Sequence, residues 1–120
     1  MKLFEVEGSL IFWFHPLFPV KVKDFILRSA FRVSASCTDA FSCQRASVAW
    51  FDFLDTNLKN HSVELKEGFY YPNGELEDEY GDFAGEGHVW LEVDGLIFDP
   101  TAGQFDDFPN IDDENYEESN

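Results

Sequence analysis

Three residues of this chain carry the side chains that nucleophilic acyl chemistry needs, in a workable order: Cys43, His88 and Asp99. A thiol attacks a carbonyl carbon, an imidazole moves the proton, and a carboxylate holds the imidazole in one tautomer. A free cysteine thiol is mostly protonated at neutral pH, with a reference pKa of about 8.5. Cys43 stands at the head of a predicted helix, where unpaired N–H groups and the positive end of the dipole favour thiolate. The competing reading is a buried helix cysteine that acts as a small hydrophobe.

The stretch Gly87–Thr101 reads as two strands, His88–Val93 and Leu96–Asp99, joined across Asp94-Gly95. That dipeptide favours the positive φ values of a type I′ turn. With those two residues in the turn, Val93 faces Leu96, Glu92 faces Ile97, Leu91 faces Phe98 and Trp90 faces Asp99. Side chains repeat with period two, so His88, Trp90 and Asp99 share one face, with His88 diagonal to Asp99. The competing reading is a surface histidine beside an acidic turn.

These residues resemble a family. Cys43-Gln44-Arg45-Ala46-Ser47 with its apolar helix, then His88-x-Trp90-Leu91-Glu92, then Asp99-Pro100-Thr101-x-x-Gln104-Phe105, is similar to the transglutaminase-like branch of the papain-like cysteine hydrolase superfamily. Within it, the pattern resembles small bacterial and phage proteins with the same His-x-Trp-Leu-Glu and Asp-Pro-Thr-x-x-Gln-Phe segments. The resemblance covers roughly residues 42–105. It implies an α+β core in which a cysteine-bearing helix packs on a small antiparallel sheet. It also implies Cys43 as nucleophile, His88 as general base and acid, and Asp99 as the orienting carboxylate.

One departure concerns the oxyanion hole. Papain-like enzymes place a glutamine or similar donor shortly before the cysteine, and residues 1–42 contain neither Gln nor Asn. The backbone N–H of Cys43 supplies one donor. The second is left open among another backbone N–H, Trp13, Ser36, Thr38 and Gln104. Loss of one such donor costs about 3 kcal/mol of transition-state stabilisation. Trp90 either flanks the Cys–His pair or fills core, and Gln104 either contacts substrate or fixes a loop.

The elements that must position these groups follow from periodicity. Lys2–Phe14 is strand-prone, and His15-Pro16-Leu17-Phe18-Pro19 breaks it. Lys23–Phe31 leans to helix. Cys43–Leu58 reads as an amphipathic helix, and Ser62–Tyr71 reads as a strand that stops at Pro72-Asn73-Gly74. The expected fold class is therefore α+β, one helix packed on an antiparallel sheet.

At 120 residues the chain is expected to form one domain, residues 1–108, with an acidic flexible tail at 109–120. Its formal charge is −16, and from Glu75 to Asn120 there are 16 acidic residues and no Lys or Arg. Such a surface repels nucleic acid and anionic membranes, and it attracts a basic protein partner. Two cysteines make no disulfide framework, which together with the lack of a secretory signal favours a cytoplasmic compartment. No metal-ligand spacing, phosphate loop or dinucleotide fingerprint appears, so no metal or cofactor is expected. Two functional readings result. The first is a cysteine-dependent acyl-transfer enzyme (amide hydrolase, protease, deamidase or transglutaminase-like) acting on a peptide or amide substrate, which could be a protein. The second is an acidic protein-binding module, inhibitor or DNA mimic with a vestigial triad.

Overall fold

The computed structural model describes residues 2–6, 10–34, 43–102 and 111–119, by backbone alone in places, the first strand and the first two residues of the second helix among them. In chain order the elements are β1 (Lys2–Val6), β2 (Leu10–Phe14), α1 (Val20–Ser34), α2 (Cys43–Asn57), β3 (Val63–Tyr70), β4 (Glu86–Val93), β5 (Leu96–Asp99) and β6 (Tyr116–Glu118). The strands form one antiparallel sheet of order β1-β2-β5-β4-β3-β6. The chain is thus an α+β fold.

Alternation divides the sheet into two faces. Phe12, Phe14, Leu91, Val93 and Phe98 point to one side and meet Val22, Ile26, Ala30 and Val33 of α1 and Trp50 and Leu54 of α2. In α1 those four residues recur at helical spacing, while Lys21, Asp24, Arg28 and Arg32 face solvent. The layer is aromatic: Phe12 meets Trp50 and Phe98 edge-on, at centroid distances of 5.6 and 5.3 Å. Each such pair adds about 0.5–1.5 kcal/mol beyond area burial. Trp13, Tyr70, Trp90 and Ile97 point to the opposite side, under Ala102, Ile111 and Tyr116.

The β4–β5 hairpin turns through Asp94 (φ 53°) and Gly95 (φ 81°), with Val93 paired to Leu96, Glu92 to Ile97 and Leu91 to Phe98. Positive φ at both central positions is the type I′ geometry that matches strand twist. The Asp94 carboxylate also accepts from His61 Nδ1 at 2.7 Å and from the Ser62 N–H at 2.9 Å, tying the turn to the start of β3.

Three expectations change. The N-terminal strand is a hairpin of two strands, with Lys2 opposite Phe14 and Val6 opposite Leu10. Helix α1 starts at Val20, earlier than Lys23, because the carbonyl of Pro19 accepts from Lys23 N–H at 2.9 Å and opens the helix there. Most consequentially, residues 111–119 of the tail expected at 109–120 are built into the domain. Ile111 is buried, and Asp112 and Asn115 form a reciprocal capping box. Asn115 Nδ2 donates to the Tyr71 carbonyl at 2.6 Å, and β6 pairs with β3 from Gly68 to Tyr70. Acid density concealed two single apolar anchors, Ile111 and Tyr116, that are too few to set up a periodic signal.

Candidate functional site

His88 lies near the start of β4 and Asp99 at the end of β5, both on the face away from the helices. Their contact is direct: His88 Nε2 to Asp99 Oδ2 is 2.7 Å, and both side chains are fully buried. Asp99 accepts further donors. Tyr116 Oη donates to Oδ2 at 2.7 Å, and the N–H and hydroxyl of Thr101 donate to Oδ1 at 3.0 and 3.3 Å. Bonding from residue i to the N–H of i+2 is an Asx turn, which locks the carboxylate at the strand end. Thr101 thus holds the carboxylate with both its backbone and its side chain.

The imidazole sits in an aromatic cage. Trp90 stacks on it at 5.9 Å, Tyr70 meets it edge-on at 6.2 Å, and Tyr116 lies tilted at 6.0 Å. With the carboxylate as acceptor, Nε2 carries the ring proton and Nδ1 is the basic nitrogen. Trp90, a candidate flanking residue, is thus both buried core and the platform under the ring. Trp13, opposite Asp99 in the β2–β5 pairing, is buried with an indole N–H that has no hydrogen-bond partner among the described residues.

Cys43 is the first residue of α2; its side chain, and Cys37, Ser36, Thr38, Gln104 and Phe105, lie outside the described residues. What the structure does give is the seat of the helix head. Ser47, one turn after Cys43, is fully buried and its Oγ donates to the Val89 carbonyl at 3.1 Å. The reason lies in the hairpin. Val93–Leu96 closes the two-residue turn, so alternate residues Leu91 and Val89 aim their polar backbone groups toward β5. Extending the register by two residues sets Val89 opposite Pro100, which has no N–H to give. The sheet is notched there: β4 runs from Glu86 while its pairing with β5 covers Leu91–Val93. Helix α2 fills the notch with a side-chain donor. Cys43 precedes Ser47 by one helical turn, about 6 Å further along the axis, at the end of a helix that packs on one face of the sheet while His88 and Asp99 project from the other.

The other histidines serve elsewhere: His61 pairs with Asp94, and His15 Nε2 lies 3.5 Å from Asp113. Sequence reasoning missed Tyr116 and Ser47. Ser47 was legible in principle, since it follows Cys43 by one turn and Pro100 falls opposite Val89 in the predicted register. Tyr116 offered only an isolated aromatic in an acidic run. No protein-family model, no curated protein and no solved structure matches the chain.

Proposed function

We propose that the protein is a cysteine-dependent acyl-transfer enzyme of the transglutaminase-like, papain-like kind, with amide hydrolysis as its reaction. The observation that carries this reading is the buried 2.7 Å contact between His88 and Asp99. A His–carboxylate pair removed from water, with the carboxylate held by further donors, is what orients an imidazole for proton transfer. Cys43 is the nucleophile. Its thiolate attacks the amide carbonyl, and the tetrahedral oxyanion forms at the head of α2, where the Cys43 N–H supplies one donor. His88 gives its proton to the departing amine as the C–N bond breaks. Water then adds to the thioester, its proton goes to His88, and the acid leaves with the thiol restored.

The Ser47–Val89 bond supports the proximity of α2 and β4, while the imidazole itself leaves β4 on the face away from the helices, so the thiol–imidazole contact is the part of the reading that the labelling test must carry. A thiol-directed alkylating probe tests it at neutral pH. The expected result is fast labelling that is abolished by Cys43→Ala and slowed at least tenfold by His88→Ala. Preferential labelling of Cys37 would overturn the assignment.

A second reading, an acidic binding module for a basic partner, is favoured by one feature. A cavity of about 630 Å³ is lined by Glu75, Glu77, Asp78, Glu79 and Glu86 around the exposed ring of Phe83. Capture of a basic partner that is lost at moderate salt and indifferent to Cys43→Ala would favour this reading over the enzyme.

A further inference from the structure

The carboxylate oxygen that holds His88 is shared. Asp99 Oδ2 receives the ring Nε2 at 2.7 Å and the Tyr116 hydroxyl at the same 2.7 Å, while Oδ1 is occupied by Thr101. Tyr116 reaches this position from β6, the last strand of the sheet. That strand is held by its pairing with β3, by the bond from Tyr71 N–H to the Asn115 carbonyl at 2.7 Å, and by the absence of a side chain at Gly68. A Cβ at Gly68 would run into the Glu117 carbonyl and the Ser119 N–H. The Tyr116 ring is itself fixed by stacking on Trp13 at 5.6 Å and by an edge contact with Tyr70 at 5.2 Å.

We propose that Tyr116 is a positioning residue of the His88–Asp99 pair. Its hydroxyl fixes the carboxylate and competes with the imidazole for one oxygen, so the C-terminal strand is part of the functional centre. This rests on the acyl-transfer reading for its purpose, but not for its physics. A donor to a carboxylate spreads the negative charge over one more bond and weakens what that charge does for a neighbouring cation. The hydroxyl therefore keeps His88 from binding its proton as tightly as Asp99 alone would make it. Among the described residues, the titratable groups facing the ring are Asp99 from β5, Tyr70 from β3 and Tyr116 from β6. Lys66 lies two residue pairs along on β3, opposite Trp90, engaged with Glu64 and Glu118 at 2.7 and 3.2 Å.

The test is an NMR titration of the histidine ring C–H protons in the full chain, wild type against Tyr116→Phe. Phenylalanine keeps the ring contacts and removes only the hydroxyl. The expected result is a rise of about one pH unit in the His88 midpoint, roughly tenfold tighter proton binding, with His15 and His61 unmoved; charge-assisted hydrogen bonds are of that size. A merely structural role would lower stability and leave the midpoint in place. An unchanged or lowered midpoint, or a ring that titrates in neither protein, overturns the proposal. The same comparison is made in the Cys43→Ala background, where the ring midpoint is free of coupling to the thiol's own ionisation. An unreactive Cys43 would sink the acyl-transfer reading alone, and an unmoved His88 would sink this one alone.

Discussion

Ser47 offers the sharpest test of how this sheet and its helix were fitted together. Ser47→Ala removes a fully buried hydroxyl and leaves the Val89 carbonyl facing Pro100, with no N–H across from it. Leaving a buried acceptor unmade costs about 1–3 kcal/mol. At this chain length that is about 4 °C of melting temperature per kcal/mol, so a fall of roughly 4–12 °C is expected. Pro100→Ala returns an N–H to the position opposite Val89, so it supplies the donor that the ladder lacks. Its own cost, about 0.4–1 kcal/mol from a more flexible unfolded chain, cancels in a double-mutant cycle. Ser47→Ala is then expected to cost at least about 1 kcal/mol less in the Pro100→Ala background than in the wild type. Urea unfolding followed by tryptophan fluorescence measures all four proteins, since Trp50 and Trp90 are buried on the two sides of the sheet. Strict additivity, within about 0.5 kcal/mol, would refute the claim that Ser47 replaces the missing N–H of residue 100.

Asp99→Asn should be tolerated by the fold at a cost of about 1–3 kcal/mol, because an amide cannot accept from His88, Tyr116 and Thr101 together. It should force the ring proton of His88 from Nε2 to Nδ1, visible in the ring ¹⁵N shifts, and should slow labelling of Cys43. Gly68→Ala should push β6 off β3, at a cost of about 1–3 kcal/mol. Faster amide exchange at Tyr70 than in the wild type is the signature; unchanged exchange would disprove the close approach. The hydrogen bond from His61, and then the Ser62 N–H, hold the Asp94 carboxyl below the usual carboxylate range. A depressed folded value contributes stability that is complete above the unfolded pKa of about 3.9 and is lost as pH falls through the folded value. Asp94→Asn, which keeps the left-handed turn conformation, should therefore be less stable than wild type at pH 5 and indistinguishable from it well below pH 3. A difference that persists unchanged into acid would mean the charge is not its source.

The hairpin that carries His88 and Asp99 was readable because its determinants are local. Asp94-Gly95 sets the turn, the turn sets the register, and period two places His88, Trp90 and Asp99 on one face. Helix α2 was readable for the same reason, from the spacing of Ala46, Trp50 and Leu54. Its seat on Val89 was implicit in the pairing of Pro100, yet it emerges only when the ladder is followed past the end of β5. The rest depended on contacts between segments far apart in the chain. The N-terminal hairpin joins β5 through Trp13 and Phe14, and the last strand joins β3 through Gly68, Phe69 and Tyr70. Local periodicity says which side of a strand is apolar, but not which distant strand will cover a sheet edge. By itself, then, the sequence determined the hairpin, the helix and the shared face of the imidazole and carboxylate, since turn chemistry and side-chain alternation act over a few residues. Only the tertiary structure decided that this face turns away from the helices and that Tyr116 shares the carboxylate. Those outcomes depend on which remote group satisfies a buried donor or acceptor, and no short window of sequence contains both partners.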